Sequence, residues 1–334
     1  MTKKLNATLL LMIGFLVGAV LLNFVLSSFS FQPSALFWTK PGRFDGLISP
    51  YYYSVLILLS INIILSVSLA LLNGFTGLFT MGHAGFMAIG AYSSAYLVST
   101  YLPTAPFVIQ LAVGALAAGV FSAAVGFFIG ISCLRLAGDY LGMVTLGFGE
   151  IIRIILLNID AVGGARGMTD IPVFMNLGSV FLLTLITILV IKRIRDGRLG
   201  RAMLSIKENE MAANMMGINP LSIKVRAFVI SSFMAGVAGA FFAHSEGYLS
   251  TQTFTFVKSF EIIAMNVVGG LGSISGAILG AGILTVLPEA LRKLQDITGI
   301  DIRMIIYALT MILIMILRPQ GIMGNREWKW LSSK

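Results

Sequence analysis

Long apolar runs separated by short polar segments make up most of the chain, and this pattern predicts membrane-spanning helices. A helix needs about 20 mostly apolar residues to cross the hydrocarbon core of a bilayer. The first run, after Lys3 and Lys4, is longer than the apolar core of a signal peptide, so we interpret it as a retained span. We therefore expect spans at about 7–27, 51–72, 84–101, 106–131, 140–158, 177–192, 225–243, 257–291 and 303–317.

One of these runs contains a glycine-rich interruption, Gly269-Gly270-Leu271-Gly272-Ser273. The run is either one long tilted helix, which gives nine spans, or two short spans at about 257–269 and 274–291, which gives ten. Short cytoplasmic loops carry an excess of Lys and Arg. Such an excess is found at the N-terminus, at 192–226 and after residue 317. Only ten spans place all three on the cytoplasmic side, so we predict ten spans with both termini inside.

Ten spans predict one all-α, polytopic membrane domain over residues 1–334. Six spans precede a cytoplasmic loop at 192–226 and four follow it, so spans 2–5 and 7–10 run in opposite orientations. Inverted repeats of this kind are common in transporters. Each block contains a glycine-broken segment, at 73–85 and at 269–280, although no sequence repeat accompanies them. The basic residues that this topology places outside are Lys40, Arg43 and Arg166.

Composition narrows the class of protein. The chain is 57% apolar and 11% charged, with a mean hydropathy of +0.93, which excludes an ordinary soluble domain. The net charge of +9 is concentrated in a few loops, so it indicates membrane topology and not nucleic-acid binding. The single Cys133 excludes an internal disulfide framework, and the isolated His83 and His244 argue against a metal site. We expect neither a metal nor a cofactor.

Two features in or next to the predicted spans, an irregular backbone segment and a pair of charged side chains, are unfavourable in contact with lipid. Four glycines interrupt the chain between Asn73 and Gly85, and non-helical backbone at membrane depth is tolerated only where protein or a water-filled cavity covers it. The segment is therefore either part of a translocation path or a tight cytoplasmic turn. Glu150 and Arg153, three residues apart, form either a substrate or proton site or a structural ion pair in the bundle interior. The candidate path residues are Asn73, Thr76, His83, Glu150 and Asn266.

The segment 198–220 is a polar island between two apolar runs. As a helix it would place its apolar residues on one stripe and its charges elsewhere. Gly217 is a natural helix stop, and Pro220 follows it. We predict a short amphipathic surface helix that ends at Gly217 and either lies on the membrane surface or inserts into a groove of a soluble partner. The predicted apolar stripe consists of Leu199, Ala202, Met203 and Ile206.

The stretch GRAMLSIKENEMAANMMGIN at 200–219 resembles the cytoplasmic coupling region of ABC-importer permease subunits, specifically the branched-chain amino-acid (LivM-like) type. Five further stretches resemble the same family in the same order, and together they extend from about residue 48 to 326. One such match carries little weight, whereas six in register indicate the family. The five are GFTGLFTMGHAGFMAIGAY at 74–92, GDYLGMVTLGFGEIIR at 138–153, GGARGMTDIP at 163–172, VVGGLGSISGAILGA at 267–281 and LRPQGIMG at 317–324.

The resemblance implies an ABC-importer permease fold of about ten helices, without an ATPase of its own. The partners that it implies are a second, homologous permease, two cytoplasmic ATP-binding subunits, a periplasmic or extracellular solute-binding protein and the membrane lipid. The sequence contains no G-x-x-x-x-G-K-[ST] phosphate loop, which agrees with ATP hydrolysis by a partner. We therefore expect that this chain is not itself an enzyme. The residues implied for coupling to the ATP-binding subunits are Arg198, Gly200, Arg201, Glu208, Glu210, Ala212, Ala213 and Gly217.

The resemblance also implies a solute and a location. We expect a permease of the bacterial inner membrane that carries branched-chain amino acids. The nearest alternative is the same machine for urea or short amides, because relatives with similar motifs carry such solutes. A second alternative is an ion-coupled secondary transporter, which would work alone and would depend on intramembrane carboxylates, with Glu150 as the first candidate.

Overall fold

A computed structural model of the chain describes residues 50–136, 138–298, 303–318, 320–324, 326–328 and 331. Apart from one isolated bridge between Met168 and Leu249, these residues are helical or irregular. The predicted first span at about 7–27 lies outside the described residues, as do Lys3, Lys4, Lys40 and Arg43.

Eleven α-helices are present in the described residues, and they follow the apolar runs of the sequence closely. A π-helical turn, Leu71–Thr76, continues the first of them. In chain order the helices are α1 (Pro50–Ala70), α2 (His83–Tyr101), α3 (Phe107–Cys133), α4 (Asp139–Leu157), α5 (Leu177–Asp196), α6 (Arg198–Glu208), α7 (Glu210–Met215), α8 (Pro220–Glu246), α9 (Phe256–Gly269), α10 (Ile274–Thr298) and α11 (Arg303–Leu317).

Six helical segments of the described part are long and apolar enough to cross a membrane. The predicted span at 84–101 forms α2, which is not among the six, and most of its side chains are buried against neighbouring helices. The predicted break in the run at 257–291 is confirmed, because α9 ends at Gly269 and α10 begins at Ile274. The six segments are Tyr51–Thr76, Phe107–Cys133, Asp139–Leu157, Leu177–Asp196, Pro220–Glu246 and Ile274–Arg292.

Three helices, α2, α3 and α8, form a glycine-packed centre in which the helix backbones nearly touch. A Cβ atom added at Gly90 would lie 2.0 Å from the carbonyl oxygen of Gly236, and one added at Gly239 would lie 2.0 Å from that of Met87. In lipid, helices associate through close packing at small residues, because the solvent supplies no hydrophobic force between them. The absence of side chains at these positions therefore sets the distance between the three helices.

Two partly buried segments without α-helix lead into helices that face each other, and the second contains a short 3₁₀ helix, Thr251–Phe254. The segment 77–82 precedes α2, and the segment 247–255 precedes α9. The Ala84 amide, in the first turn of α2, donates a hydrogen bond to Ser259 Oγ in the first turn of α9 over 3.1 Å. The proposed correspondence between the breaks at 73–85 and 269–280 stays a prediction.

The bundle has two ends with different contacts. The polar end carries the π turn, the segment 192–226, the start of α10 and the described tail residues after 317. At the opposite end, the Tyr53 hydroxyl accepts a hydrogen bond from the Leu177 amide over 2.9 Å. The His244 ring there lies 3.0 Å, through Nδ1, from the carbonyl oxygen of Pro172. The predicted coupling residues all lie at the polar end.

Candidate functional site

The predicted coupling helix consists of two helices, α6 and α7, separated by Asn209 in an extended conformation. The Asn209 side chain accepts a hydrogen bond from the Ala212 amide over 3.0 Å, so it caps α7. The prediction of one helix was wrong here because an Asn side chain offers the backbone a new helix start in place of a continued helix. The predicted stop is confirmed, since Gly217 has a left-handed φ of +83°.

The apolar stripe of α6 faces the bundle, and most of its charged side chains face away from it. Met203 and Ile206, both in the predicted stripe, are buried. The coupling candidates divide in the same way, because Gly200 and Ala213 are buried while the other six are exposed. These six form a surface that is open to a partner: Arg198, Arg201, Glu208, Glu210, Ala212 and Gly217.

Three methionines add apolar area to this open surface. Met211, Met215 and Met216 are 73%, 83% and 83% exposed. Methionine is flexible and polarizable, which suits it to surfaces that adapt to a partner. Their exposure could not be read from the sequence, because it follows from the turn at Asn209 that separates α7 from the buried stripe of α6.

The two glycine breaks lie against each other at the polar end. We define the first break as the π turn with 77–82, and the second break as 270–273 between α9 and α10. A Cβ atom added at Gly74 in the first break would lie 2.0 Å from the carbonyl oxygen of Leu271 in the second. π-Helical turns are rare in proteins, and those that occur are frequently found at functional sites. The contact at this π turn therefore marks a candidate functional region of the bundle.

Lys207 reaches from α6 to the first break. Its Nζ donates a hydrogen bond to the carbonyl oxygen of Gly74 over 2.8 Å. Its stem passes Gly77, where an added Cβ atom would lie 3.2 Å from Lys207 Cγ. This contact was not expected from the sequence, because Gly74 is 133 residues away and Lys207 is exposed like the other charged residues of α6. Lys207 follows the buried Gly200 and Met203 by seven and four residues, and that spacing places it beside the buried stripe.

Arg195, near the end of α5, is buried and forms a second connection. Its Nη1 donates a hydrogen bond to Glu327 Oε1, and its Nη2 donates one to the carbonyl oxygen of Leu331, each over 2.5 Å. Its Nε donates to Asp196 Oδ1 over 3.1 Å. The guanidinium also lies over the ring of Phe75 in the π turn, 6.0 Å from the ring centre. One side chain thus joins α5, the tail and the first break.

Glu327 extends this connection to the start of α10. Its Oε1 accepts a hydrogen bond from the Ile274 amide over 2.7 Å. Its Oε2 accepts from the Ser275 amide over 3.1 Å and from Ser275 Oγ over 2.5 Å. A carboxylate at this position satisfies amides that have no partner within the helix, and it interacts favourably with the helix dipole. Glu327 therefore fixes the downstream edge of the second break.

The tail also fixes the upstream edge of the second break. The amides of Ile322 and Met323 donate hydrogen bonds to the carbonyl oxygens of Val268 and Gly269, each over 2.9 Å. These carbonyl groups belong to the last turn of α9, where a helix leaves its acceptors unsatisfied. The tail therefore holds the second break from both sides.

Four of the five predicted path residues lie around the end of α1, where the structure buries their side chains: Asn73, Thr76, His83 and Asn266. His83 Nε2 lies 2.8 Å from Ser68 Oγ, and Asn266 Nδ2 donates to the carbonyl oxygen of Ser66 over 2.9 Å. Within the described residues, Asn73 Nδ2 and Asn266 Oδ1 are buried without a hydrogen-bond partner. Such atoms are costly to bury, so they are polar groups that water or a solute could satisfy.

The fifth predicted path residue, Glu150, lies apart from the others on α4. Its Oε2 accepts a hydrogen bond from Arg153 Nε over 2.7 Å, and its Oε1 accepts one from the Phe256 amide at the start of α9 over 3.2 Å. The two charged side chains are 26% and 24% exposed. The pairing expected from the spacing is confirmed, but the pair is not enclosed in the described bundle. Among the described residues, no three His, Cys, Asp or Glu side chains are grouped as metal ligands.

Residues 51–315 match the model of the family described as branched-chain amino acid transport system / permease component. The chain belongs to this family. The permease is 37% identical over 298 residues to the high-affinity branched-chain amino acid transport system permease protein LivM of Salmonella typhimurium, and 36% identical over 306 residues to LivM of Escherichia coli K12. Each of these comparisons covers 79% of this chain and 68% of the relative.

A shorter match joins the permease to LivH of Escherichia coli K12, another permease protein of a high-affinity branched-chain amino acid transport system. The two are 31% identical over 134 residues, which is 40% of this chain and 42% of LivH. No solved structure matches the chain. Family and apolar helices together make the chain a multi-pass transport subunit of the bacterial inner membrane. The family expected from the sequence motifs is thereby confirmed.

Proposed function

We propose that the chain is the membrane-spanning permease subunit of an ATP-driven importer for branched-chain amino acids. The observation that carries the proposal is the match to the two LivM proteins along 79% of the chain, because both are named as permeases of high-affinity branched-chain amino acid transport systems. The permease provides the path, and the energy comes from partners, since its sequence contains no phosphate loop.

Two cytoplasmic ATP-binding subunits dock, in this proposal, on the surface formed by α6 and α7. Six of the predicted coupling residues are exposed there beside three exposed methionines. A rim of charges around apolar side chains is a common composition for a docking surface. Gly200 and Ala213 contribute from beneath: a Cβ atom added at Gly200 would lie 2.0 Å from the carbonyl oxygen of Arg195, so glycine allows α6 to lie close to the end of α5.

A second, homologous permease completes the membrane part of the proposed importer. The matches to LivM and LivH support this partner, because Escherichia coli K12 has permease proteins of both names for high-affinity branched-chain amino acid transport. Exposed apolar side chains on α3 and α4, such as Phe128 at 71% and Met143 at 62%, are available to that partner and to lipid. A solute-binding protein delivers the amino acid at the opposite end.

The proposed topology has ten spans in a single domain, with the polar end and both termini in the cytoplasm. Facing helices α2 and α9 support an inverted repeat of spans 2–5 and 7–10. Each begins after a segment without α-helix, and their first turns are joined by the hydrogen bond from Ala84 to Ser259. Broken helices of this kind commonly stand at corresponding positions in the two halves of transporters.

The proposed path passes the end of α1 and the exposed side of α4. Asn73 and Asn266 offer a buried donor and a buried acceptor without partners among the described residues, near Thr76 and His83. The ion pair of Glu150 lies on a surface with exposed apolar side chains, where contact with lipid would be costly. A path or a partner at this surface removes that cost, and a charge pair beside apolar groups complements a zwitterion with an apolar side chain.

Uptake by proteoliposomes tests the proposal. The permease is reconstituted with a candidate second permease and ATP-binding subunits, and the binding protein is loaded with radiolabelled leucine or with urea. We expect leucine uptake that requires enclosed ATP, all subunits and the binding protein. Uptake of urea alone would favour the first alternative. Ion-driven uptake by the permease alone, abolished in Glu150→Gln, would favour a secondary transporter and overturn the proposal.

Charge reversal tests the docking surface separately. Arg198→Glu combined with Arg201→Glu should weaken capture of the ATP-binding subunits roughly ten-fold or more, since like charges at an interface cost several kcal/mol. Membrane insertion should be unchanged, because both side chains are exposed. Arg166→Glu, a substitution in the loop after α4, serves as the matched control. Normal capture by the double variant would count against docking on α6.

A further inference from the structure

Each glycine break is connected to the polypeptide around α6 by one basic side chain. Lys207, in the last turn of α6, donates a hydrogen bond to the carbonyl oxygen of Gly74 in the first break over 2.8 Å. Arg195, three residues before α6, is bound to Glu327, which in turn holds the Ile274 amide next to the second break. The two connections leave opposite ends of α6 and reach segments about two hundred residues apart in sequence.

The connections are built to transmit movement. Hydrogen bonds with a charged partner are shorter and about twice as strong as neutral ones. Arg195 and Glu327 have side chains only 9% and 11% exposed, so water screens their pairing weakly. The two breaks are also in direct contact, because Gly74 meets the carbonyl oxygen of Leu271 without room for a side chain. A displacement of α6 is therefore passed on to both breaks through these contacts.

We propose that Lys207 and Arg195 are positioning residues that connect the segment 192–226 to the two glycine breaks, so that movement of α6 shifts both breaks together. The inference rests on the proposed function, since it takes an ATP-binding subunit as the source of the movement. It goes beyond docking, because Arg195 is buried and Lys207, although exposed, directs its Nζ to the carbonyl oxygen of Gly74. Their task is to pass the displacement inward after the partner has docked.

Glycine explains why the first break can respond. The π turn and the segment 77–82 are bonded less regularly than a continuous α-helix, and Gly77 has a left-handed φ of +74°. The first break leads directly into α2, which starts beside α9. A shift of the breaks therefore moves the start of α2 at the first break, and the end of α9 and the start of α10 at the second.

The test measures how many ATP molecules are hydrolysed per leucine transported by the reconstituted importer. Lys207→Met removes the charged donor but keeps an apolar stem of similar length. Lys207→Arg keeps a charged donor. Arg226→Met is the control, because Arg226 is an exposed cation at the start of α8, at the same end of the bundle. All four proteins are compared at equal amounts of assembled complex.

We expect Lys207→Met to raise the ratio of ATP to leucine at least about five-fold, the lower end of the usual coupling between distant sites. Lys207→Arg should restore the ratio to within about two-fold of the unsubstituted permease, and Arg226→Met should leave it unchanged. A purely structural role of Lys207 would lower ATP hydrolysis and transport in proportion, with a constant ratio. An unchanged ratio in Lys207→Met therefore overturns the inference.

Two further arms keep the result decisive. If Lys207→Met does not accumulate, Lys207→Gln is measured in its place, and the same two outcomes apply to it. A failure of the proposed function would look different: the unsubstituted permease itself would show no ATP-dependent leucine uptake. If the wild-type importer transports leucine and the Lys207 variant keeps the normal ratio of ATP to leucine, the inference about Lys207 is overturned while the proposed function stands.

Discussion

The glycine-packed centre and the polar end solve the same problem of joining distant segments in opposite ways. In the centre, α2, α3 and α8 meet where side chains are absent, as at Gly90 and Gly239. At the polar end, long charged side chains such as Arg195 and Lys207 extend from one segment to backbone or carboxylate oxygens of another. The centre is held by shape and the polar end by directed hydrogen bonds.

This difference has a mechanical meaning. Closely packed backbones resist gradual deformation, so the centre moves as one body or not at all. Hydrogen bonds to charged groups keep segments in register without fixing the whole surface between them. A permease driven from one end needs both properties: a stiff centre and an end whose connections pass on a displacement. The predictions below separate shape from charge, from the largest expected effect to the smallest.

Loss of Glu327 should have the largest effect. Glu327→Ala leaves the buried Arg195 guanidinium with only the adjacent Asp196 as a carboxylate partner and leaves two amides unpaired at the start of α10. Breaking a buried pair in this way costs about 3–5 kcal/mol. We expect a clear fall in the thermal unfolding midpoint of the detergent-solubilised permease.

A double variant decides whether charge is the cause. Arg195→Met with Glu327→Gln removes both charges and keeps an acceptor for the Ile274 amide, so at least about half of the lost stability should return. If the double variant is as unstable as Glu327→Ala, shape holds the polar end as well, and the comparison between the two regions fails.

Gly90→Ala should have the next largest effect, because the added Cβ atom would lie 2.0 Å from the carbonyl oxygen of Gly236. Overpacking typically costs about 1–3 kcal/mol. The obstacle is backbone, so no side-chain substitution at Gly236 can relieve it, in contrast to the charged pair. The lowered unfolding midpoint is again the measurement.

Gly147→Ala is the matched control for this prediction. Gly147 is also a helical glycine, but a Cβ atom added there has no heavy atom within 4 Å. Alanine has the higher helix propensity, so the control should be unchanged or stabilised by up to about 1 kcal/mol. Equal stability of the two variants would mean that the helices of the centre can move apart freely.

Asn209→Ala should have the smallest effect, about 1 kcal/mol, confined to α7. The side chain caps α7 through the Ala212 amide, and α7 has only six residues. Hydrogen exchange of peptides from 210–216 should become faster while the rest of the bundle is unaffected. Asn214→Ala, an exposed substitution within α7, is the control. Unchanged exchange in Asn209→Ala would show that α7 is held by contacts other than its cap.

Local pattern was sufficient to predict the helices and the break between α9 and α10. Run length, glycine clusters and the stop at Gly217 each act within a few residues, so they are visible in the sequence. The pairing of Glu150 with Arg153 was predictable for the same reason, since their spacing on a helix brings them together.

The connections of the polar end could not be predicted, because their partners are distant in sequence. Lys207 meets Gly74 across 133 residues, and Glu327 meets Ile274 across 53. A cation on a short amphipathic helix normally faces water, and Lys207 is indeed exposed, but nothing in its surroundings in the sequence indicates the hydrogen bond to Gly74. The cap at Asn209 was missed because the residues around it, Glu208 and Glu210, are ordinary helix formers.

The partners of Arg195 also set the order in which the permease is built during synthesis. Helices α2, α3 and α8 can meet once Glu246 has entered the membrane, whereas Arg195 is separated from Glu327 by 132 residues. At about 5–20 residues per second, translation takes roughly 7 to 26 s to supply that carboxylate. Until then the guanidinium has the adjacent Asp196 as a counter-ion, but the carboxylate that joins it to the start of α10 has not been synthesised. The contacts of the polar end can therefore form completely only after the tail has been synthesised.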